Sequence, residues 1–331
     1  MKKKWFGILL FIITSQLSAL TFPFTNSDNN VVGQVMVITA TEGQTLSHLG
    51  LQYDVGRDAM RAANPEFDPD KPLPVGLPVI IPTRFIIPNY THQGFIVNLA
   101  EMKLYYFPPG ENIVMIFPIG IGKAGYMTPL GITSVARKVK DPYWIPPESI
   151  RQYNKEKGII LPKVIQGGPD NPLGRRAIYL ALPSYLIHAT NFPASVGSRG
   201  SFGCIRMTEK DIDKLFPLVA NNTPVRIIAE PYLAGWSNGV IYLEINKPLN
   251  EDKFNLKSLV QPVISTLIRL SLQHHVQIDW QKIEFALQNQ TGIPTAVSNI
   301  QEQSSLFTVN VKPAWPQNTT LCEYSRVCQT V

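Results

Sequence analysis

Cys204 and His188 have the types and spacing for covalent catalysis. Cys204 lies in Ser201-Phe202-Gly203-Cys204-Ile205-Arg206-Met207, and His188 stands sixteen positions earlier, closing the apolar run Tyr185-Leu186-Ile187. A thiol is a competent nucleophile once a base takes its proton, and imidazole is the usual partner. The glycine before the cysteine leaves the Gly203 and Cys204 N–H groups free to face one point, an oxyanion-hole arrangement. A helix predicted just downstream, from Glu209, would place its positive end near the sulfur and lower its pKa. Arg206 offers a fork that pairs both oxygens of a carboxylate. Each residue also has a plainer reading: a buried structural thiol for Cys204, a core histidine for His188, an internal ion pair for Arg206.

The remaining chemistry-bearing residues are weaker candidates. Cys322 and Cys328 sit six residues apart in a polar tail, a spacing that suits a disulfide in an oxidising compartment or leaves two free thiols. If they pair, Cys204 is the cysteine left over; the alternatives are two free thiols or partners elsewhere. No Cys or His set has zinc spacing, so no metal is expected. Gly120-Ile121-Gly122-Lys123-Ala124-Gly125 fits a dinucleotide-binding pattern. That chemistry needs a helix to begin there, and Pro129 and Gly131 oppose one, so no cofactor is expected.

The elements that must position these groups read as mainly β. The 331 residues are 44% hydrophobic, enough for a core, and include 28 prolines, which argues against a long helical bundle. Between residues 93 and 229, short runs rich in β-branched and aromatic residues are broken by glycine and proline. One helix stands out there, Glu209 to Val219, with Thr208 as N-cap and Ile212, Leu215, Phe216 and Val219 on one face. Upstream, residues 35–83 read as strand, helix, helix, strand, a small α+β unit. Residues 20–34, polar and rich in asparagine, read as a flexible lead-in. Downstream, residues 230–331 form a partly helical C-terminal extension, with helical spacing in 254–272 and 280–288.

Residues 1–19 have the layout of a secretory leader: Lys2, Lys3 and Lys4, an apolar run from Trp5 to Ile13, and small Ala19 at the expected cut. The alternative is an uncleaved anchor, although the run is about half of a spanning length. Loss of the three lysines lowers the formal charge from +6 to +3. No run of five basic residues remains, so nucleic acid is not an expected partner.

Two resemblances complete the reading. Glu42-Gly43-Gln44-Thr45-Leu46, Ala62-Ala63-Asn64-Pro65, Leu73-Pro74-Val75-Gly76 and Ile81-Pro82 resemble a LysM module, which implies binding to the glycan of peptidoglycan or chitin. Ile187-His188-Ala189-Thr190-Asn191 and Ser198 through Met207 resemble the L,D-transpeptidase (YkuD-like) catalytic domain. Thr128-Pro129-Leu130-Gly131, Pro142 to Pro147 and Asn171-Pro172-Leu173-Gly174 fit the same family. With the LysM-like unit in front, the whole resembles the periplasmic branch found in Gram-negative bacteria.

The resemblance implies a β-sandwich catalytic domain with a short helix after the nucleophile. It implies that Cys204 attacks the meso-diaminopimelate carbonyl of a tetrapeptide stem and releases D-Ala, with His188 as proton acceptor and donor. The thioester then passes to a diaminopimelate amine or to the lysine of an outer-membrane lipoprotein. Gly203 would hold the oxyanion, and Arg206, Thr190, Asn191 and Ser201 would contact substrate. The sequence departs from the pattern at Ala189, where glycine is frequent, and at Phe202, where histidine is frequent. A hydrolase on the same scaffold and a non-catalytic wall-binding protein are the competing readings.

Overall fold

The computed structural model describes residues 20–24, 28–249 and 256–299. The expected leader and the Cys322–Cys328 pair lie outside them. In chain order, β1 (Leu20–Pro23), β2 (Val31–Thr39), α1 (Leu46–Gln52), α2 (Arg57–Ala63) and β3 (Pro78–Ile86) come first. Then follow β4 (Gly94–Asn98), β5 (Lys103–Phe107), β6 (Ile113–Pro118), β7 (Ile121–Gly122), β8 (Gly131–Lys140), α3 (Glu148–Lys155), β9 (Arg176–Leu180) and β10 (Leu186–His188). β11 (Arg199–Ser201), β12 (Ile205–Arg206), α4 (Glu209–Leu218) and β13 (Pro224–Ile228) complete the central part. β14 (Tyr232–Ser237), β15 (Val240–Ile245), α5 (Leu256–His274), α6 (Trp280–Asn289) and β16 (Thr295–Ala296) end the described chain.

Strict alternation along β4, β5 and β6 builds a sheet buried on both faces. Phe95, Val97, Leu104, Tyr106, Met115 and Phe117 enter one core, while Ile96, Tyr105, Phe107, Val114 and Ile116 enter another. A period of two sends neighbours to opposite faces, so both sets must be covered. The first core also takes Ile187 of β10 and Ile205 of β12, four and five places from β4 in the order β1-β6-β5-β4-β13-β8-β9-β10-β12. In a flat sheet β4 and β12 would lie roughly 24 Å apart. They share a core because the sheet curls around α4, whose Ile212, Leu215 and Phe216 fill it. The fold is mainly β, as expected, but one curled nine-stranded sheet replaces the expected sandwich. The Thr208 cap is present: its Oγ1 accepts the Asp211 N–H at 3.1 Å.

The second core is closed by the β2–β3 ribbon through Phe85, Ile87 and Val32, and by Leu20 and Phe22 of β1. β1 pairs antiparallel with β6, Leu20 opposite Ile116. The flexible lead-in expected at 20–34 is therefore overturned for its described residues. Apolar Leu20 and Phe22 add an edge strand, and β2 begins at Val31. Buried Asn30 accepts the Trp236 N–H and donates to the Ile87 carbonyl, tying three segments together.

Within the β2-α1-α2-β3 unit, Gln44 Oε1 accepts the Thr41 N–H at 2.9 Å and closes the turn. Asn64 donates to the Met60 and Ile80 carbonyls and accepts the Ile80 N–H, fastening α2 to β3. The start of α2 abuts the loop between His188 and Cys204. The Arg57 and Asp58 N–H groups cap the Val196 and Gly197 carbonyls at 3.3 and 2.9 Å. At this approach a Cβ on Gly197 would stand 2.1 Å from the Gly56 Cα, so only glycine fits there. Downstream, β14, β15 and β16 form a three-stranded sheet under α5 and α6.

Candidate active site

The geometry begins with register. β10 and β12 run parallel, with Ile187 opposite Ile205 and His188 opposite Arg206. Ile187 and Ile205 point into the core, so Leu186, His188, Cys204 and Arg206 lie on the other face. Sixteen residues of chain thus collapse to neighbouring strands. His188, Cys204 and Arg206 line one groove of about 770 Å³, with Tyr143, Trp144 and Tyr185 among its walls.

His188 is buried, and its Nδ1 lies 2.5 Å from the Ala189 carbonyl. A carbonyl only accepts, so Nδ1 carries the proton and Nε2 is left as the acceptor. Burial first, and the Arg206 charge second, push the imidazole down to about 4. It is neutral, a base in waiting, at ordinary pH. Cys204 is a free thiol. Burial raises it above its ordinary value, partly offset by a hydrogen bond from the Leu186 backbone and by Arg206. The expected lowering by the helix is not found. α4 begins five residues on, at Glu209, and its positive end is capped by Thr208. Both shifts favour the neutral forms of these groups, thiol and imidazole.

The turn before Cys204 is held from both sides. Ser201 Oγ accepts the Gly203 N–H at 3.1 Å and donates to the Cys204 carbonyl at 2.5 Å. Thr128 Oγ1 donates to the Gly203 carbonyl at 2.7 Å. Gly203 has φ +108°, and a Cβ there would stand 2.9 Å from the Tyr185 ring, so glycine is required. The expected pair of oxyanion donors is corrected: the Gly203 N–H is already taken by Ser201. The Cys204 N–H has no partner among the described residues and is the donor left to the groove.

Ser201 is largely buried and its hydroxyl braces the turn, while the residue also lines the groove. Thr190 and Asn191 are not among the groove's walls. Thr190 Oγ1 accepts the Phe192 N–H, and Asn191 donates to the Asp170 carbonyl at 3.3 Å, so both hold loops. Arg206 does reach the groove. Among the described residues no carboxylate pairs with it, and its buried Nε lacks a hydrogen-bond partner. The internal ion pair considered for it is absent there. The glycine-rich segment is a turn, with Tyr126 N–H donating to the Lys123 carbonyl, and no helix follows it.

The chain has well-matched relatives among known proteins. The L,D-transpeptidase catalytic domain family, YkuD, matches residues 92–227. A probable L,D-transpeptidase of Escherichia coli K12, YbiS, is 36% identical over 300 residues, covering 88% of this chain and 96% of that protein. The chain belongs to the L,D-transpeptidase family. Another probable L,D-transpeptidase of that organism, ErfK/SrfK, is 36% identical over 302 residues, covering 89% of this chain and 96% of the relative. The likeness to solved structures is slight. An Enterococcus faecium L,D-transpeptidase mutant gives a TM-score of 0.33 at 20% identity, covering 46% of this chain and 56% of that one.

In this L,D-transpeptidase, three positioning residues escaped the sequence reading although their motifs were visible. Thr128 of Thr-Pro-Leu-Gly holds the catalytic turn. Asn171 of Asn-Pro-Leu-Gly is buried and donates to the Pro142 and Gln166 carbonyls while accepting the Leu173 N–H. It anchors both ends of the 141–171 segment that carries α3 beside the groove. Gly174 explains the Ala189 departure. It has φ +61°, and a Cβ there would lie 2.4 Å from the Ala189 Cβ. The Ala189 methyl occupies the space that Gly174 leaves.

Gly174→Ala should therefore displace the Ala189 carbonyl that orients His188. Acylation of Cys204, followed by intact mass, should slow at least ~10-fold, as misplaced catalytic groups do. Gly174→Ala with Ala189→Gly should recover part of the rate. The remaining deficit reflects the left-handed backbone, about 1 kcal/mol, and the Glu209 carboxylate, whose Oε1 would lie 2.3 Å from the new Cβ.

Proposed function

We propose that this chain is an exported peptidoglycan L,D-transpeptidase acting in the periplasm. The observation that supports the reading is the β10–β12 register, with His188, Cys204 and Arg206 all lining one groove. The substrate is a tetrapeptide stem whose free carboxylate is held by the Arg206 fork. Cys204 Sγ attacks the meso-diaminopimelate carbonyl while His188 Nε2 accepts the thiol proton. The oxygen that becomes negative takes the Cys204 N–H. D-Ala leaves as its nitrogen receives the proton from His188, and a thioester remains. An amine then attacks, the C–S bond breaks, and the amine proton returns to Sγ through His188.

Around this centre, residues 1–19 act as the export leader. Residues 35–83 act as a LysM module that keeps the enzyme on glycan strands. Cys322 and Cys328 pair, leaving Cys204 as the reactive thiol. The acceptor is a diaminopimelate side chain or the terminal lysine of an outer-membrane lipoprotein.

The test is stem-peptide analysis with the mature protein and a Cys204→Ala control. Cross-linked or lipoprotein-bearing stems from the wild type alone support transfer. Trimmed stems alone would replace transfer by hydrolysis. No product of any kind would remove the enzymatic reading.

A further inference from the structure

Beside Cys204 an ammonium group sits in an aromatic box. Lys123 Nζ lies 3.4 Å from the ring centroid of Tyr153, 3.9 Å from that of Phe202 and 4.9 Å from that of Tyr126. The rings meet edge to face: Tyr126 with Phe202 at 4.8 Å, Tyr153 with Phe202 at 5.0 Å. Three π faces around one cation are a recognised way to hold a substituted ammonium in a partly wet site. No carboxylate among the described residues pairs with Lys123; the three rings and the Tyr153 hydroxyl face its charge, and that hydroxyl also accepts from Lys157 Nζ at 2.7 Å.

Position makes the box more than a local packing feature. Phe202 stands two residues before Cys204, and Phe202 and Tyr126 line the same groove as His188, Cys204 and Arg206. Lys123 is brought there by its N–H bond to the Ser201 carbonyl at 3.0 Å, and Tyr153 is carried in on α3. The groove therefore bears a free guanidinium at Arg206 and an electron-rich box at Phe202. The first attracts a carboxylate, the second an ammonium. Lys123 is only half-buried and hangs on a flexible stem, so it can leave without breaking an ion pair.

We propose that Tyr126, Tyr153 and Phe202 form the binding site for the ammonium of the acyl acceptor, with Lys123 occupying that site when no acceptor is bound. The inference rests on Cys204 carrying an acyl group, and it makes the second substrate a primary amine in preference to water. Phe202, where the sequence departs from a frequent histidine, supplies a wall of the box. The acceptor ammonium displaces Lys123 and loses one proton to solvent on leaving the rings. Its nitrogen then attacks the thioester carbonyl. The C–N bond forms, the C–S bond breaks, and the second proton reaches Sγ through His188.

The test uses the mature protein, a tetrapeptide donor, and a primary-amine acceptor beside its hydroxyl isostere. The readout is the ratio of aminolysis to hydrolysis. Only folded, acylated enzyme contributes to it, so poor folding of a variant does not change it. Phe202→Leu and Tyr153→Leu should each lower the ratio about 2- to 30-fold for the amine. Neither should alter the ratio of alcoholysis to hydrolysis for the isostere. Lys123→Met should lower the apparent KM for the amine, because a competing ammonium is removed. An unchanged ratio in both ring variants, or a raised KM in Lys123→Met, would overturn the box and leave Lys123 as a latch on α3. If the wild type forms no Cys204 acyl adduct by intact mass, the acyl-enzyme reading falls and the box falls with it.

Discussion

Cys204→Ala should abolish the acyl adduct that wild-type protein forms with a tetrapeptide donor or a carbapenem, and stem exchange should fall at least ~1,000-fold. Losing the nucleophile of a pair that acts as a unit removes covalent catalysis outright. His188→Gln keeps the shape and should cost about 100- to 10,000-fold, the usual worth of a positioned base. The pH dependence separates the two groups. His188 works only when neutral, and it titrates near 4. Acylation should therefore be sustained down to about pH 5 and fall as pH drops through 4, with no inflection near the ordinary imidazole value of 6.5. Burial holds the Cys204 thiol above its ordinary value. Alkylation by iodoacetamide, which needs thiolate, should still be rising at pH 9. An acid limb at 6.5, or alkylation already at its plateau at pH 7, would mean that the resting pair is ionic.

The second large effect is on stability. Lys103 Nζ donates to Glu101 and to Glu244, each at 3.0 Å, and both carboxylates are fully buried. Glu101 also accepts from Tyr105 at 2.7 Å and from Asn98 at 2.6 Å. Glu244 belongs to β15 and Lys103 to β5, so this cluster joins the C-terminal sheet to the catalytic sheet. Burial and the nearby Glu101 raise the Glu244 carboxyl above the usual range, while the two carboxylates raise Lys103 despite its burial. Lys103→Met leaves two buried carboxylates facing each other with no cation. The expected loss is about 3–5 kcal/mol, the cost of breaking a buried pair by deleting one partner. Denaturant melts should show it as a lower midpoint. Lys103→Met with Glu244→Gln should recover much of it, since the repulsion goes with the charge. A Lys103→Met protein as stable as wild type would mean that water reaches the cluster.

Much of the candidate site was legible because its parts are local. Gly203 before Cys204, and the cap of Thr208 ahead of an apolar face, are short-range patterns that the backbone must obey. The β-branched and aromatic runs of Phe95 to Phe107 announced strands, while their burial on both faces emerged only in the structure. What remained hidden depends on which strands meet. Residues 20–24 looked like a tail because polar neighbours dilute Leu20 and Phe22, yet β6 offers an open edge and an apolar face to receive them. Ser201, Thr190 and Asn191 looked like substrate contacts because they flank the motif. Thr190 serves a neighbouring backbone group, as short polar side chains do in turns, Asn191 reaches across to the Asp170 carbonyl, and Ser201 braces the turn while lining the groove. Gly203 lost its oxyanion role for the same reason.

The sequence by itself pointed to the family, to Cys204 and His188 as the candidate pair, and to the helix that follows their turn, since each is a matter of residue type and short spacing. The tertiary structure alone decided the parallel pairing of β10 with β12, the shifts of Cys204 and His188 toward thiol and imidazole, the Lys123 box and the Lys103 cluster. Those are set by burial and by contacts between segments far apart in the chain. Desolvation and charge act through space, so no local pattern of residues encodes them.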